Sequence, residues 1–335
     1  MDWSSTYLNL SNLSCRNDEF KFPVFISVYS VVFVIGVIGN SVALYVFVKL
    51  TRRKTPSTIF MINLAISDLF FNLTLPYRII YYVQGEWNLW SFLCRITTYA
   101  FYLNLYSSIF FLTALSVFRY IAILHPVKSK SIITLRRAVW VSLGIWVFVG
   151  LTSVPFLLTS PHLREGKYRC FEPKNMDWAQ ILKMNYMALV VGFLLPFLTI
   201  IVCYSRIIQR LRDSGGVLQK NIQTRKRSIY MIVIVLMSFL FCFLPYHVIR
   251  TVHLHLMVQE RFCQPFTIVM QKVIVVTICL AAANSCLNPL LYYFVGENFR
   301  NTIKTSTLLK SRQLSVRSAS SGSVVYRERS QQQNQ

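Results

Sequence analysis

Seven apolar stretches, each long enough to cross a bilayer as a helix, leave few folds open to this chain. They cover residues 24–48, 58–83, 92–124, 136–158, 185–210, 226–256 and 273–295. The hydrocarbon layer is ~30 Å thick and holds no water, so a crossing backbone must satisfy its own polar groups. About 20 residues of α-helix do this. The third and sixth stretches exceed that length and must tilt or protrude. No soluble helical domain needs seven such runs in 335 residues. Only 14% of the residues are charged, against about 25% in soluble domains. The expected fold is an all-α membrane protein: a seven-transmembrane helix bundle over 24–295, preceded by a polar N-terminal segment, 1–23. Residues 1–21 lack the short apolar core and small-residue cleavage site of a signal peptide, so the first span is expected to act as an uncleaved targeting signal.

Charge sets the expected orientation. The net charge is +23, from 35 Lys and Arg against 12 acids. An excess of that size often marks a nucleic-acid binder, but its distribution says otherwise. The loops at 49–54, 119–137 and 206–227 and the tail after Val295 hold 23 of the 35 basic residues, with only Asp213, Glu297 and Glu328 opposing them. Basic loops stay cytoplasmic, which puts the N-terminus outside and the tail inside. The sequons at Asn9 and Asn12 fall in the outer segment and agree. Anionic inner-leaflet lipid and a cytoplasmic partner account for the charge without nucleic acid. Of the eight cysteines, Cys203, Cys242, Cys279 and Cys286 fall within spans, whereas Cys15, Cys94, Cys170 and Cys263 fall on the outer, oxidising side. Four cysteines allow three pairings, and spacing alone does not choose among them.

Polar residues inside spans are costly and mark candidate sites. Asp68, in mid-second span, is the one acid at that depth. Asn104 and Ser108 lie four apart on the third span; Asn284, Asn288 and Tyr292 form a similar stripe on the seventh. With Asn40 they make a candidate polar cluster, either able to hold a sodium ion at Asp68 or serving plain interhelical hydrogen bonding. No other metal constellation is present. Near the outer ends stand Arg78 and Arg250, the latter one turn beyond Tyr246, and a Tyr99, Tyr102, Tyr106 stripe on the third span. The arginines either snorkel to lipid headgroups or line a tyrosine-walled cavity for an anion, since guanidinium forks suit carboxylate and phosphate. His253 and His255, two apart on a helix, face different ways and make a poor metal pair. No phosphate-binding glycine loop, metalloprotease motif or nucleophile elbow occurs, so an enzyme is not expected.

Taken in order, the motifs resemble the rhodopsin-like receptors coupled to G proteins. They are Gly39-Asn40, Asp68 in its Leu64–Leu69 setting, Cys94, Arg119-Tyr120, Trp146, Pro196 with Tyr204, Cys242-Phe243-Leu244-Pro245 and Asn288-Pro289-Leu290-Leu291-Tyr292. Two positions depart from the pattern: Phe118 stands where an acid usually precedes the arginine, and Phe243 where a tryptophan is common. Within the class, the segments around Cys94–Tyr106, Lys167–Pro173, Pro245–His255 and Met270–Lys272 resemble the cysteinyl leukotriene receptors, with the type 1 branch the nearer. The resemblance implies a ligand site at Arg78, Tyr102, Tyr106, Tyr246, Arg250 and Lys272, taking an anionic lipid. It implies activation switches at Arg119, Tyr120, Tyr204, Phe243, Pro245 and Tyr292, with coupling mainly to Gq-class G proteins and calcium. It also implies disulfides Cys94–Cys170 and Cys15–Cys263, and residence in the plasma membrane.

Within the class, a purine-nucleotide receptor is the alternative, because phosphates also suit Arg78, Arg250 and Lys272. A transporter or channel is more distant, since charges do not line a continuous path. A light receptor would need a lysine in mid-seventh span, where Ala281, Ala282 and Ala283 stand instead. Beyond the bundle, Phe299 and Ile303 lie four apart beside Arg300 and Lys304, which suits a short interfacial eighth helix over 296–310. Residues 311–323 are polar, basic and serine-rich, with too little apolar surface to fold, so 311–335 is expected to be a disordered cytoplasmic tail, either plainly solvated or a kinase target. Receptor kinases acting on Ser315, Ser318, Ser320, Ser321 and Ser323 would turn it acidic for arrestin.

Overall fold

A computed structural model describes residues 20–51, 53–158, 160–164, 166–171, 178–213, 222–259, 264–295 and 299. Seven of its helices are long and apolar enough to cross a membrane: α1 (Lys21–Leu50), α2 (Pro56–Gln84), α3 (Ser91–Leu124), α4 (Leu135–Thr152), α5 (Trp178–Arg212), α6 (Ser228–Val258) and α7 (Pro265–Phe294). The expected spans coincide with these except at certain ends. Helices α5 and α7 begin seven and eight residues earlier than hydropathy indicates, because polar turns such as Gln180 and Lys183 continue the helix outside the apolar layer. Helix α4 ends at Thr152, and Val154–Leu157 around Pro155 forms a 3₁₀ turn. Pro155 has no N–H to donate to Leu151 O and its ring crowds that carbonyl, so the α-helix does not continue through it.

Local chemistry sets several ends and bends. Thr55 caps α2: its hydroxyl accepts from Thr58 N, and Thr58 Oγ1 accepts from Thr55 N. Thr134 caps α4 through Arg137 N. Proline has no N–H and its ring crowds the carbonyl four residues back. Just before Pro196 and Pro245, α5 and α6 widen into π-helical turns at Val190–Leu194 and Ser238–Phe243. Pro289, inside α7, deprives Ser285 O of its helical donor, and the Asn40 side chain of α1 supplies one at 2.9 Å.

The side chains sort as a lipid-embedded bundle requires. Large apolar groups such as Val31, Ile38, Trp140, Leu151, Val202 and Phe241 are exposed on the outside, where acyl chains cover them, while Asn40, Asp68, Asn104, Asn284 and Asn288 are buried within. Small residues allow close approach. A Cβ on Gly39 would lie 2.7 Å from Pro289 Cγ of α7, and one on Gly192 would lie 2.7 Å from the Tyr106 ring of α3. Helix α4 is the most exposed; Trp146 pins it to α2 by donating to Asn63 Oδ1 at 2.8 Å.

At the end of the bundle where α1 begins, a hairpin, β1 (His162–Arg164) and β2 (Lys167–Arg169), lies between α4 and α5. Arg169 donates to Gly85 O at 3.0 Å and Trp87 N to Tyr168 O at 2.8 Å, seating the hairpin on the α2–α3 loop. Cys170, at its end, is disulfide-bonded to Cys94 at the head of α3.

Candidate functional site

Arg78 faces inward. Beyond the break in α2 at Leu73–Thr74, Pro76 restarts the helix so that Arg78 is only 5% exposed. Its Nη2 donates to Thr97 O at 3.0 Å. The Phe171 ring lies 4.2 Å from its guanidinium carbon, and the Phe101 ring 5.4 Å. Phe171 follows the bonded Cys170 and holds φ at 68°, a left-handed backbone that a residue with a bulky side chain rarely adopts. Its ring also packs edge-on against Tyr81 and Trp87. A cation held this way is not snorkelling to headgroups, and among the described residues no carboxylate is in contact with it.

Arg250 on α6 is half-buried, with its guanidinium carbon 5.7 Å from the Tyr102 ring and 5.8 Å from the Tyr246 ring. Tyr106 is a third tyrosine within electrostatic reach. Tyr102 in turn stacks flat on Phe156 at 3.6 Å, so the 3₁₀ turn after α4 fixes its plane. Four of the expected ligand residues, Tyr102, Tyr106, Tyr246 and Arg250, therefore gather between α3 and α6, while Arg78 stands behind Phe101, whose ring touches those of Tyr102 and Tyr246. Lys272 stands apart: it is exposed, and its ammonium faces the Phe20 ring at 5.8 Å. The third-span stripe divides, because the Tyr99 hydroxyl turns to Gly150 O of α4. Two surface clefts of 350 and 340 Å³ lie elsewhere, one around Trp87 and Tyr168, the other on the lipid face between α1 and α7. Neither contains an expected ligand residue.

The expected polar cluster assembles around Asp68. Asn104 Nδ2 donates to Oδ1 at 2.9 Å and Asn288 Nδ2 to Oδ2 at 2.8 Å, joining α2, α3 and α7. Asn104 also reaches Ser67 Oγ at 3.2 Å, and Ser67 bonds Ser107. Asn40 belongs to a neighbouring set: its Nδ2 donates to Ser285 O, and the Ser285 hydroxyl donates to Asn72 Oδ1. Ser108 and Asn284 are fully buried, and the hydroxyl of one and both amide atoms of the other find no protein partner. An ionised carboxylate has about four acceptor sites. Two remain after the asparagines are counted.

Toward the opposite end of the bundle, Tyr204 of α5 and Ser116 of α3 share a hydrogen bond of 2.6 Å, with half-buried Arg119 within electrostatic reach of Tyr204. Phe118 meets the Phe60 ring edge-on at 4.8 Å, an apolar contact where an acid would have offered an ion pair. Tyr120 meets the His125 ring edge-on. Phe243 is buried against Phe239, and Tyr292 against Phe47. Pro245 follows the π-helical turn after one residue, Leu244.

Sequence reasoning missed Phe156, Phe171, Phe193 and His247 around the outer site, and Ser67, Asn72, Ser107 and Ser285 in the polar cluster. A serine or phenylalanine in a span is ordinary, so no signal marked them; the positive φ at Phe171 has no residue-type signature. Cys15–Cys263, Asn9, Asn12, the expected eighth helix apart from Phe299, and the tail serines lie outside the described residues. Phe299 itself is buried with its ring 5.3 Å from Phe47.

Comparison with known proteins identifies the family. The family model of the seven-transmembrane receptors of the rhodopsin family matches residues 39–292. The mouse cysteinyl leukotriene receptor 1 is 46% identical over 303 residues, 89% of this chain and 86% of that receptor. The pig cysteinyl leukotriene receptor 2 is 41% identical over 309 residues, 90% and 86% of the two chains. The chicken lysophosphatidic acid receptor 6 is 34% identical over 292 residues, 86% and 94%. With seven spanning helices, the Asp68 centre and this match over three-quarters of its length, the chain belongs to the rhodopsin family of G-protein-coupled receptors; it is a multi-pass membrane receptor and not an enzyme.

Proposed function

We propose that the chain is a receptor for cysteinyl leukotrienes, and that Arg78, Tyr102, Tyr106, Tyr246 and Arg250 hold the anionic lipid, with Lys272 at the rim. The observation that carries this is a pair of arginines on α2 and α6, set among aromatic rings, with no carboxylate in contact with either among the described residues. A buried cation without an anion is costly, and an acidic ligand supplies the missing charge. The relatives named above make that ligand a leukotriene rather than a nucleotide. The N-terminus lies outside the plasma membrane and the basic loops inside, where Gq-class G proteins, receptor kinases and arrestin meet the chain.

Signalling follows from population shift. Agonist favours a bundle in which the inner ends of α5 and α6 move apart, at the π-helical and proline bends, and Arg119, Tyr204 and Tyr292 rearrange to admit the G protein. Agonist and G protein then raise each other's affinity by the same factor. A sodium ion taking the two free carboxylate sites of Asp68, with Ser108 and Asn284 supplying oxygens, would hold the resting arrangement. The test is calcium release from cells expressing the receptor, challenged with a panel of leukotrienes and nucleotides. Responses confined to nucleotides would overturn the leukotriene reading.

A further inference from the structure

His247 carries an unused polar atom beneath the candidate ligand site. It lies on α6 and is 2% exposed. The Phe193 ring of α5 stacks on it at 4.5 Å and 15°, and the Tyr106 ring of α3 meets it at 5.9 Å. Its Nδ1 stands 2.8 Å from Phe243 O, one turn back along the same helix. A carbonyl oxygen only accepts, so Nδ1 carries the proton and donates it there. Among the described residues no carboxylate touches the ring, and Arg250 stands three residues further along α6. A second cation in so apolar a setting would have nothing to offset its desolvation. The ring is therefore neutral, and Nε2, on the side away from its own backbone, is a bare lone pair. It is buried and has no hydrogen-bond partner, and the neighbouring Tyr246 hydroxyl is in the same condition.

Unmet buried polar atoms are rare in folded proteins and call for an explanation. Here they lie together and close to the cation. The Tyr246 ring is 5.2 Å from the His247 ring and 5.8 Å from the Arg250 guanidinium carbon. One molecule held by its anionic group at Arg250 has only a few bonds to extend before reaching Nε2. We infer that His247 Nε2 accepts a hydrogen bond from the bound ligand, so that the receptor selects anionic lipids carrying a hydroxyl or amide N–H a few bonds from the acidic group. This rests on the reading of Arg250 as the anion's seat. It adds a requirement that the arginines do not impose: a lipid anion with no donor at that distance leaves Nε2 unmet and binds more weakly.

The test uses the full-length receptor in membranes. His247→Phe keeps the stack on Phe193 and removes both nitrogens. His247→Asn keeps a donor for Phe243 O, and its Oδ1 stops a bond short of the place that Nε2 holds, so no acceptor stands there. The probes are a cysteinyl leukotriene, its analogue with the chain hydroxyl methylated, and its analogue with the headgroup amide N-methylated. Both variants should weaken the parent ligand about 3- to 30-fold. One methylated analogue should be weakened similarly on the wild-type receptor and lose nothing further on either variant. Unchanged affinity for the parent, or an equal loss for all three probes, would overturn the inference, since a packing role alone does not distinguish donors. A second measurement needs no ligand: ¹⁵N NMR of imidazole-labelled receptor, with the His247→Phe variant assigning the signal. An unprotonated Nε2 supports the inference; a protonated one overturns it. A receptor deaf to every leukotriene would refute the ligand reading and leave His247 to be judged by its tautomer.

Discussion

Replacing Arg250 with alanine removes the cation whose donors are most available to a ligand. The Arg250 side chain makes no hydrogen bond to protein among the described residues; its neighbours are the faces of Tyr102 and Tyr246. Those contacts are worth about 0.5–1 kcal/mol each at a partly exposed site, so the receptor should fold and reach the surface at near-normal density. A charge-assisted hydrogen bond to an anionic ligand is worth about 1.5–3 kcal/mol. That corresponds to a roughly 10- to 150-fold loss of agonist affinity. Arg78→Ala should lose agonist over the same range but cost stability as well. One of its donors holds Thr97 O, and two aromatic rings pack on its guanidinium. Lysine should restore little at position 78, because an ammonium does not reproduce the planar fork that meets both the rings and the carbonyl. Radioligand saturation, calcium release and surface immunostaining on the same cells separate affinity from delivery. If both alanine variants respond at wild-type agonist concentrations, the cationic site is not where the ligand binds.

Three further outcomes are expected. Asp68→Asn should blunt the effect of sodium on agonist affinity, because an amide attracts a cation far less than a carboxylate does; radioligand competition with and without sodium measures this, and an unchanged sodium dependence would leave the cluster a purely hydrogen-bonded one. Serine at Cys94 or Cys170 should abolish surface delivery or binding, since the bond anchors the segment that sets Phe171 over Arg78. Gly39→Ala should lower the melting temperature of the purified receptor. Its new Cβ would stand 2.7 Å from a proline ring that cannot rotate away, and overpacking of this kind costs about 1–3 kcal/mol.

The bundle was legible because hydropathy acts over whole helices: a run of 20 apolar residues has few other fates. Asp68, Asn104 and Asn288 were legible for a related reason, as polar groups that would not be carried through the bilayer unpaired. What escaped was direction. Tyr99, Tyr102 and Tyr106 read as one stripe, and seven residues leave Tyr99 and Tyr106 only about 20° apart around the axis, yet the Tyr99 hydroxyl turns to Gly150 O of α4. The neighbour packed at each turn, which spacing does not record, decides what each tyrosine meets. Serines were invisible because a hydroxyl bonding the carbonyl one turn back, as Thr113 and Ser142 do, looks in sequence like Ser67 or Ser285, which bridge helices. Phe171 was invisible because its importance lies in a backbone angle and a disulfide neighbour, neither of which its residue type records.

The prolines show how these levels connect. Pro245 lies between the π-helical turn Ser238–Phe243 on one side and Tyr246, His247 and Arg250 on the other. The histidine reaches back across the proline to bond Phe243 O, so the ring above the bend and the residue at its edge are tied directly. Phe193, within the π-helical turn of α5, stacks on that histidine and on Phe197 and Phe239, which carries the contact into the turn of α6. Both widened turns thus meet through one aromatic stack directly beneath the outer site. A shift of His247 toward a ligand must move Phe243 O or break its bond, and must slide or part the stack with Phe193. Packed rings at 4.5–6.1 Å have few alternative arrangements, since interiors yield by switching between packings rather than by stretching. The bend in α6 and the widening in α5 are consequently the parts of the bundle whose geometry an event at the outer site has the shortest mechanical route to change.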